Sequence, residues 1–380
     1  MNIPRMVSIF ILVIAVIGGS FFYIGRRIFQ ALAYIFPGIN VAIYICIYIV
    51  IATSFMLGRL SLPPIIKSLM SSIGSIWLGL FIYLLILFLI SDIMILVGSL
   101  IKLIPADMQT NLRFYAGATV ILLSIGIVCF GIYNSNQTKF VSYSVQLNKS
   151  LSNEMKIAFI SDLHLGDANS EKRLEGIVQG INSLNPDIVC IVGDIFSDGY
   201  YNVKDPDKAS TLFGSIDAIY GVYACLGNHD GGSTLTEMVD FLQRSNVILL
   251  NDESVTIDQR LVLVGRLDSS PIGRYGELSR KDFSEIMVQT DASLPVVVMD
   301  HNPGNIGQYD SNVDLILSGH THRGQVFPGN LLTRMIYTVD YGYYKKDADS
   351  PQVIVTQGVG TWMLPMRIGT NNEIVSLVLS

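Results

Sequence analysis

The sequence predicts an α/β domain preceded by an all-α membrane region of about four helices. Three observations carry that reading. Residues 1–138 hold only seven Lys and Arg against two Asp and Glu, whereas residues 139–380 hold eighteen against twenty-nine. Past residue 139, short β-branched runs alternate with amphipathic stretches of helical period. All five histidines of the chain fall just beyond the ends of predicted strands. Of the 380 residues, 50% are hydrophobic and 15% charged. That excludes a disordered chain and an ordinary water-soluble protein, whose composition is about a quarter charged.

The membrane region follows from four uncharged apolar stretches: Met6–Ile24, Ile28–Gly58 with its strongest part at Ile39–Leu57, Ser68–Ser91, and Phe114–Tyr133. About twenty helical residues cross a hydrocarbon core, so each is long enough, and spans are expected near 6–24, 39–57, 70–91 and 114–133. A cleaved signal peptide would account for Met6–Ile24 alone. No small-residue cleavage site follows it, and three further apolar stretches do. Asp92 is expected at the interfacial end of the third span, with a functional intramembrane acid as the sharper alternative. Four spans would place the N-terminus and the large domain on one side. Five basic residues on one face against four on the other do not choose the side, so the expectation is a multi-pass cell-membrane protein of open orientation.

Residues 139–380 are expected to form one α/β domain. Strands are predicted at Val141–Leu147, Met155–Ser161, Asp187–Val192, Val222–Leu226, Leu261–Gly265, Pro295–Met299, Val313–Leu317, Gln352–Thr356 and Ile374–Leu379. Helices are predicted at Glu171–Leu184, Ala209–Ile219, Leu235–Ser245 and Arg280–Thr290. This half carries a net charge of −11 and has no dense Lys/Arg run, which argues against a nucleic-acid partner. Four cysteines make no disulfide framework in a chain of this length; Cys190 and Cys225 read as buried small apolar residues.

The chemistry sits past the strand ends. Ser161-Asp162-Leu163-His164 follows the second strand, Gly193-Asp194 the third and Gly227-Asn228-His229-Asp230 the fourth. Asp300-His301-Asn302-Pro303 and Gly319-His320-Thr321-His322 follow two later ones. Any single histidine is explained by packing; five of five beside Asp, Asn or Gly are not. Alternate residues of an extended segment face one way, so Asp162 and His164 can grip one ion, and His320 and His322 one ion or two neighbours. Mixed carboxylate, imidazole and amide donors favour manganese, iron or zinc. Asp162, His164, Asp194, Asn228, His301, His320 and His322 are too many ligands for one first-row ion and suit two divalent ions about 3.5–4 Å apart.

The ordered set D-x-H, GD, GNHD, H-x-P and GHTH resembles the calcineurin-like metallophosphoesterase superfamily over roughly residues 150–380. The tail Gly358-Val359-Gly360-Thr361 through Leu364-Pro365-Met366-Arg367 to Glu373-Ile374 is similar to a bacterial phosphodiesterase subgroup, itself similar to lipid-nucleotide pyrophosphohydrolases of the envelope. The resemblance implies a four-layer α-β-β-α sandwich. It implies one ion on Asp162, His164, Asp194 and His322, the other on Asp194, Asn228, His301 and His320, with Asp194 bridging. His229 would protonate or stabilise the leaving oxygen, and Asp230 would orient its ring. The subgroup follows GHTH with Gly-Gly-Gln; here the residues are Arg323-Gly324-Gln325. For Arg323 a solvated side chain is the simpler reading and contact with a substrate phosphate the sharper one; for Arg367 the simpler reading is a structural ion pair. The function expected is hydrolysis of a phosphodiester, phosphomonoester or pyrophosphate on a phosphate-containing small molecule or lipid. The alternative is a phosphate-ligand sensor whose spans transmit its state.

Overall fold

Four apolar helices open the chain in the computed structural model, which describes residues 3–105, 108–167, 170–197, 199–288 and 290–380. They are α1 (Ile3–Ile35), α2 (Val41–Leu57), α3 (Pro64–Leu100) and α4 (Gln109–Asn134). Asn40 caps α2 by accepting the Ala42 and Ile43 amides, and Pro63-Pro64 starts α3, as a proline at the first helical position should. Among the described residues, three of these helices are long and apolar enough to cross a membrane; α2 has 17 residues and is shorter.

α1, α3 and α4 overrun the expected spans. α3 has 37 residues, about 55 Å at 1.5 Å per residue. Asp92 therefore lies inside α3 rather than at its end. It is paired there, with Arg27 Nη2 3.0 Å from Oδ1 and the Tyr23 hydroxyl donating to Oδ2 at 2.6 Å. Burying the Arg27 side chain in an apolar bundle requires such a partner. The Asp92 carboxylate thus serves a helix-to-helix ion pair.

Residues 132–380 form a separate compact unit. Its strands are β1 (Thr138–Val145), β2 (Met155–Ile160), β3 (Ile188–Val192), β4 (Val222–Cys225), β5 (Val247–Leu249), β6 (Glu253–Ile257), β7 (Leu261–Gly265), β8 (Val296–Met299), β9 (Leu315–Ser318), β10 (Gly342–Lys345), β11 (Gln352–Val355) and β12 (Asn372–Leu379). They make two six-stranded sheets, in orders β1-β12-β2-β3-β4-β5 and β10-β11-β9-β8-β7-β6. β2 through β5 run parallel, as do β7, β8, β9 and β11. Strands covered on both faces read as continuous apolar runs, which is why Ile188–Val192 and Val296–Met299 show no alternation.

The strand period sorts the side chains. Ile157, Phe159, Cys190, Val192 and Cys225 point between the sheets and meet Leu263, Val297, Met299, Leu315 and Leu317. Their neighbours Ala158, Ile160, Val189, Ile191 and Ala224 point outward under α5 (Ser170–Ser183), α6 (Pro206–Phe213) and α7 (Leu235–Arg244). On the far side Val262, Val264, Val298 and Ile316 are covered by Ile286 of α8 (Phe283–Met287), by Tyr309 and by Val339. The four-layer sandwich is present with one thin outer layer: the helix expected at Arg280–Thr290 contracts to five residues. Phe159 is fully buried between the sheets, so Phe159→Ala is expected to cost about 3–5 kcal/mol. Chemical denaturation of the detergent-purified protein, followed by a β-sheet signal, measures it; an unchanged midpoint would contradict the placement of this core.

Candidate metal centre

β2, β3 and β4 of one sheet and β8 and β9 of the other all end at the same edge of the sandwich, where open α/β sheets place their sites. The backbone continues the ladder for a few residues past the strands: Asp162 N donates to Gly193 O at 3.0 Å, His164 N to Asp194 O at 3.0 Å, and Gly319 N to His301 O at 2.9 Å. Five site residues adopt left-handed backbone: Asp162 (φ 55°), His164 (49°), Asp194 (51°), His320 (69°) and His322 (47°). Non-glycine residues held there store strain of order 1 kcal/mol or more each, and strain of this kind collects at functional sites. At Gly227 a side chain is impossible, since a Cβ would lie 2.2 Å from Asp194 N; at Gly319 it would lie 2.5 Å from Asp162 Oδ2.

Two groups of ligand-grade atoms result. Asp162, His164 and His322 bring three to within 4.8 Å of one another, and Asp194, His301 and His320 bring three more. Asp194 Oδ2 lies 3.2 Å from His301 Nε2 and 3.8 Å from His164 Nε2, so one carboxylate oxygen faces both groups. His322 Nε2 is 3.3 Å from Asp162 Oδ1 and 3.1 Å from His164 Nε2. Asn228 Oδ1 and His320 Nδ1 are 2.8 Å apart.

The donor atoms suit cations. His301 Nδ1 lies 2.8 Å from the Val192 carbonyl, which fixes the proton on that nitrogen; Nε2 is buried without a hydrogen-bond partner. Burial lowers His164 to about 3 and His320 to about 4 and takes His322 well below its usual value, the Arg367 charge adding to the last. These rings are neutral, as ligation requires. Burial lifts the Asp162 carboxyl to about 6, with the Asp194 charge raising it further against the pull of His301. Burial also pushes Asp194 upward, but the His301 charge outweighs it and holds Asp194 low. The same pair raises His301 although burial alone would lower it. A pocket with two carboxylates, four imidazoles, unpartnered nitrogen and strained loops fits two divalent ions.

His229 stands at the mouth, half-buried, its amide donating to Asp194 Oδ1 at 2.9 Å and its ring 5.4 Å from that of Trp362. The Asp230 carboxylate accepts the amides of Gly227 (2.8 Å), Ile195 (3.2 Å) and Phe196 (2.8 Å). It joins the β3 and β4 loops and so braces the backbone beneath His229. Burial and the nearby Asp194 charge raise it to about 7.

Arg323 is half-buried with its guanidinium 4.4 Å from the Tyr341 ring centre, so the freely solvated reading is set aside. Arg367 is wholly buried and makes no ion pair among the described residues. Nη1 donates to His322 O (3.0 Å), Nη2 to Gln357 O and Gly360 O (both 2.6 Å), and Nε to Asn372 Oδ1 (2.8 Å). Nη2 also lies 3.2 Å from His322 Nδ1. The side chain thus seats the His322 ring from behind. Sequence reasoning left it ambiguous because its partners are backbone carbonyls, which no motif displays.

With this geometry in place, the likeness to known proteins is specific. The family model described as Calcineurin-like phosphoesterase matches residues 155–324. A metallophosphoesterase of Aquifex aeolicus is 32% identical over 66% of this chain and 97% of its own length. A zebrafish transmembrane protein with metallophosphoesterase domain is 27% identical over 68% of this chain and 61% of its own. The Chlamydia trachomatis UDP-2,3-diacylglucosamine pyrophosphatase LpxG is 23% identical over 55% of this chain and 78% of its own. The chain belongs to the calcineurin-like phosphoesterase family and is a hydrolase of phosphoric esters that depends on divalent metal.

Replacing Arg367 by lysine keeps a charge but loses the fork that reaches His322, Gln357 and Gly360 together. Arg367→Lys is expected to hold metal roughly tenfold more weakly, the usual cost of removing a ligand's supporting partner. Metal content after graded chelator dialysis checks this, and wild-type retention would refute the role.

Proposed function

We propose that the protein is a multi-pass membrane enzyme that hydrolyses a phosphodiester or pyrophosphate bond on a lipid-linked substrate. The observation that supports it most is the sharing of Asp194 Oδ2 between the two ligand groups, 3.2 Å from His301 and 3.8 Å from His164. Asp162, His164 and His322 would hold one ion; His301, His320 and Asn228 the other, with Asp194 serving both. The donor set favours manganese, iron or zinc over calcium. When bound, paired cations lower the pKa of water and neutralise charge on a phosphoryl group.

The remaining work falls to the chain. His229, at the open side of the pocket, is placed to give a proton to the departing oxygen, and its ring lies 5.3 Å from that of His164. Trp362, 39% exposed and beside His229, offers a flat apolar wall for the leaving group. The lipid assignment draws support from the apolar helices and from the Chlamydia relative, whose name specifies a diacylated sugar nucleotide.

Asp194→Asn is expected to lose metal and nearly all turnover. His229→Ala should keep its metal and lose about 10²–10⁴-fold in kcat, the usual contribution of a general acid. The full-length protein in detergent, supplied with manganese and offered monoesters, diesters and lipid pyrophosphates, tests both. Chelator should abolish the activity, and normal rates in either variant would overturn the assigned roles. Good turnover of small diesters with none on lipid substrates would overturn the substrate class alone.

A further inference from the structure

α9 (Gly329–Ile336) begins five residues after the metal-cluster loop of Gly319–Gly324 and is built inside out. A surface helix in water turns its apolar stripe to the core. Here no residue of the helix is buried. Leu331, Leu332, Met335 and Ile336 are 49%, 62%, 83% and 72% exposed, and Phe327 just ahead of the helix is 48% exposed. The polar side faces the body: Thr333 Oγ1 donates to Asp340 Oδ2 at 2.7 Å, and the Asp340 carbonyl accepts from Thr321 Oγ1 at 2.6 Å. The helix therefore adds nothing to the core and presents five large apolar side chains outward. Tyr337, which ends it, lies with its ring 6.0 Å from that of His320, so this surface reaches the rim of the candidate centre.

The occupant is indicated by what the root of α9 shares with the end of α4. One loop, Pro365–Thr370, is bonded on both sides. On one side Phe327 N donates to Ile368 O (2.8 Å), Ile368 N to Gln325 O (3.2 Å) and Thr370 Oγ1 to Gln325 O (2.6 Å). On the other, Asn134 Nδ2 donates to Arg367 O (3.0 Å) and Thr370 O (2.8 Å), and Ser135 Oγ to Pro365 O (3.1 Å). Asn134 is the last residue of α4, whose stretch Asn111–Asn134 is long and apolar enough to span a bilayer. The place where the chain would leave hydrocarbon and the entrance of α9 are thus held by the same six-residue loop. An eight-residue helix, about 12 Å long, cannot cross a 30 Å core but suits the interfacial zone. Arg334, exposed on the same helix, suits anionic headgroups.

We propose that α9 and Phe327 form a monotopic docking element that enters the leaflet at which α4 emerges and holds the mouth of the metal centre against the lipid surface. It rests on the membrane-protein reading given above. The test uses full-length protein in phosphatidylcholine–phosphatidylglycerol vesicles. Cys46 and Cys129, the exposed thiols, are first changed to serine. An environment-sensitive fluorophore is then attached after Met335→Cys, after Leu122→Cys on the exposed face of α4, or after Asp207→Cys, whose side chain is 88% exposed.

Spin-labelled lipid should quench the probes at 335 and 122 and spare the one at 207, which aqueous iodide should quench. Iodide quenching at 335 with lipid quenching kept at 122 overturns the docking proposal alone. Loss of lipid quenching at both 335 and 122 overturns the membrane reading beneath it. Protection of 335 from both quenchers means a protein cover, such as a second copy, and also refutes the proposal. A paired variant, Leu332→Asp with Met335→Asp, should leave hydrolysis of a soluble diester unchanged and lower release of phosphate from vesicle-borne lipid; equal loss on both substrates would also refute it.

Discussion

A single contact between the sheets governs the rest of the centre. His301 is carried by the second sheet, yet its Nδ1 meets the Val192 carbonyl of the first at 2.8 Å, and its Nε2 faces Asp194, also of the first, at 3.2 Å. One ring thus spans the seam, fixed at one nitrogen so that the other is aimed. The distance across that seam is set lower in the sandwich, where Phe159, Val192 and Cys225 pack on Met299 and Leu317 with no exposed surface. Close-packed interiors do not give by an ångström without cost. The apolar core therefore decides the geometry of two half-sites, each of which draws its ligand-grade residues from both sheets.

The half-sites are polar clusters that an apolar protein would otherwise reject. Asp162, Asp194 and Asp230 are all buried at the ends of neighbouring strands. Unpaired charge in such surroundings is expensive, so each carboxylate has a distinct means of compensation. Asp230 is clasped by three amides. Asp194 is held ionised by His301. Asp162 takes the Ser161 hydroxyl and the His320 amide and is left the most easily protonated of the ligand carboxylates. Divalent cations would supply the compensation that the side chains leave incomplete.

The strands and ligands were legible because they obey periodic or positional rules. Leu261–Gly265 was predicted to the residue, and eight other strands within a few residues, since buried parallel strands are dense in β-branched residues. β5, with three residues, and β6, with Glu253 and Thr256 facing water, carry too weak a pattern, as does the four-residue edge strand β10. α9 was missed for a different reason: Leu331, Leu332, Met335 and Ile336 do recur at helical spacing, but eight residues are too short a run to stand out from the loops around them. The candidate ligands are marked by rare residue types at strand ends, and the structure brings Asp162, His164, Asp194, His301, His320 and His322 into two groups that could hold metal. Support residues did not show. Asp230 stands in the GNHD motif beside His229 yet turns to backbone, and Arg367 acts through carbonyls; neither direction follows from neighbouring letters.

The tail of the chain links the end of α4 to the candidate metal centre. Ser135, just past α4, offers its carbonyl to Asn372 Nδ2 at 2.5 Å; Asn372 Oδ1 accepts from Arg367 Nε at 2.8 Å; Arg367 Nη1 reaches the His322 carbonyl at 3.0 Å. Three hydrogen bonds separate the end of an apolar helix from His322. Every member is buried, so none exchanges freely with water, and losing any one would strand polar atoms in the interior. A loop under that double demand cannot be built from apolar residues, because it must present donors and acceptors on two sides. This accounts for an arginine and an asparagine without surface exposure at Arg367 and Asn372, positions that face neither substrate nor solvent.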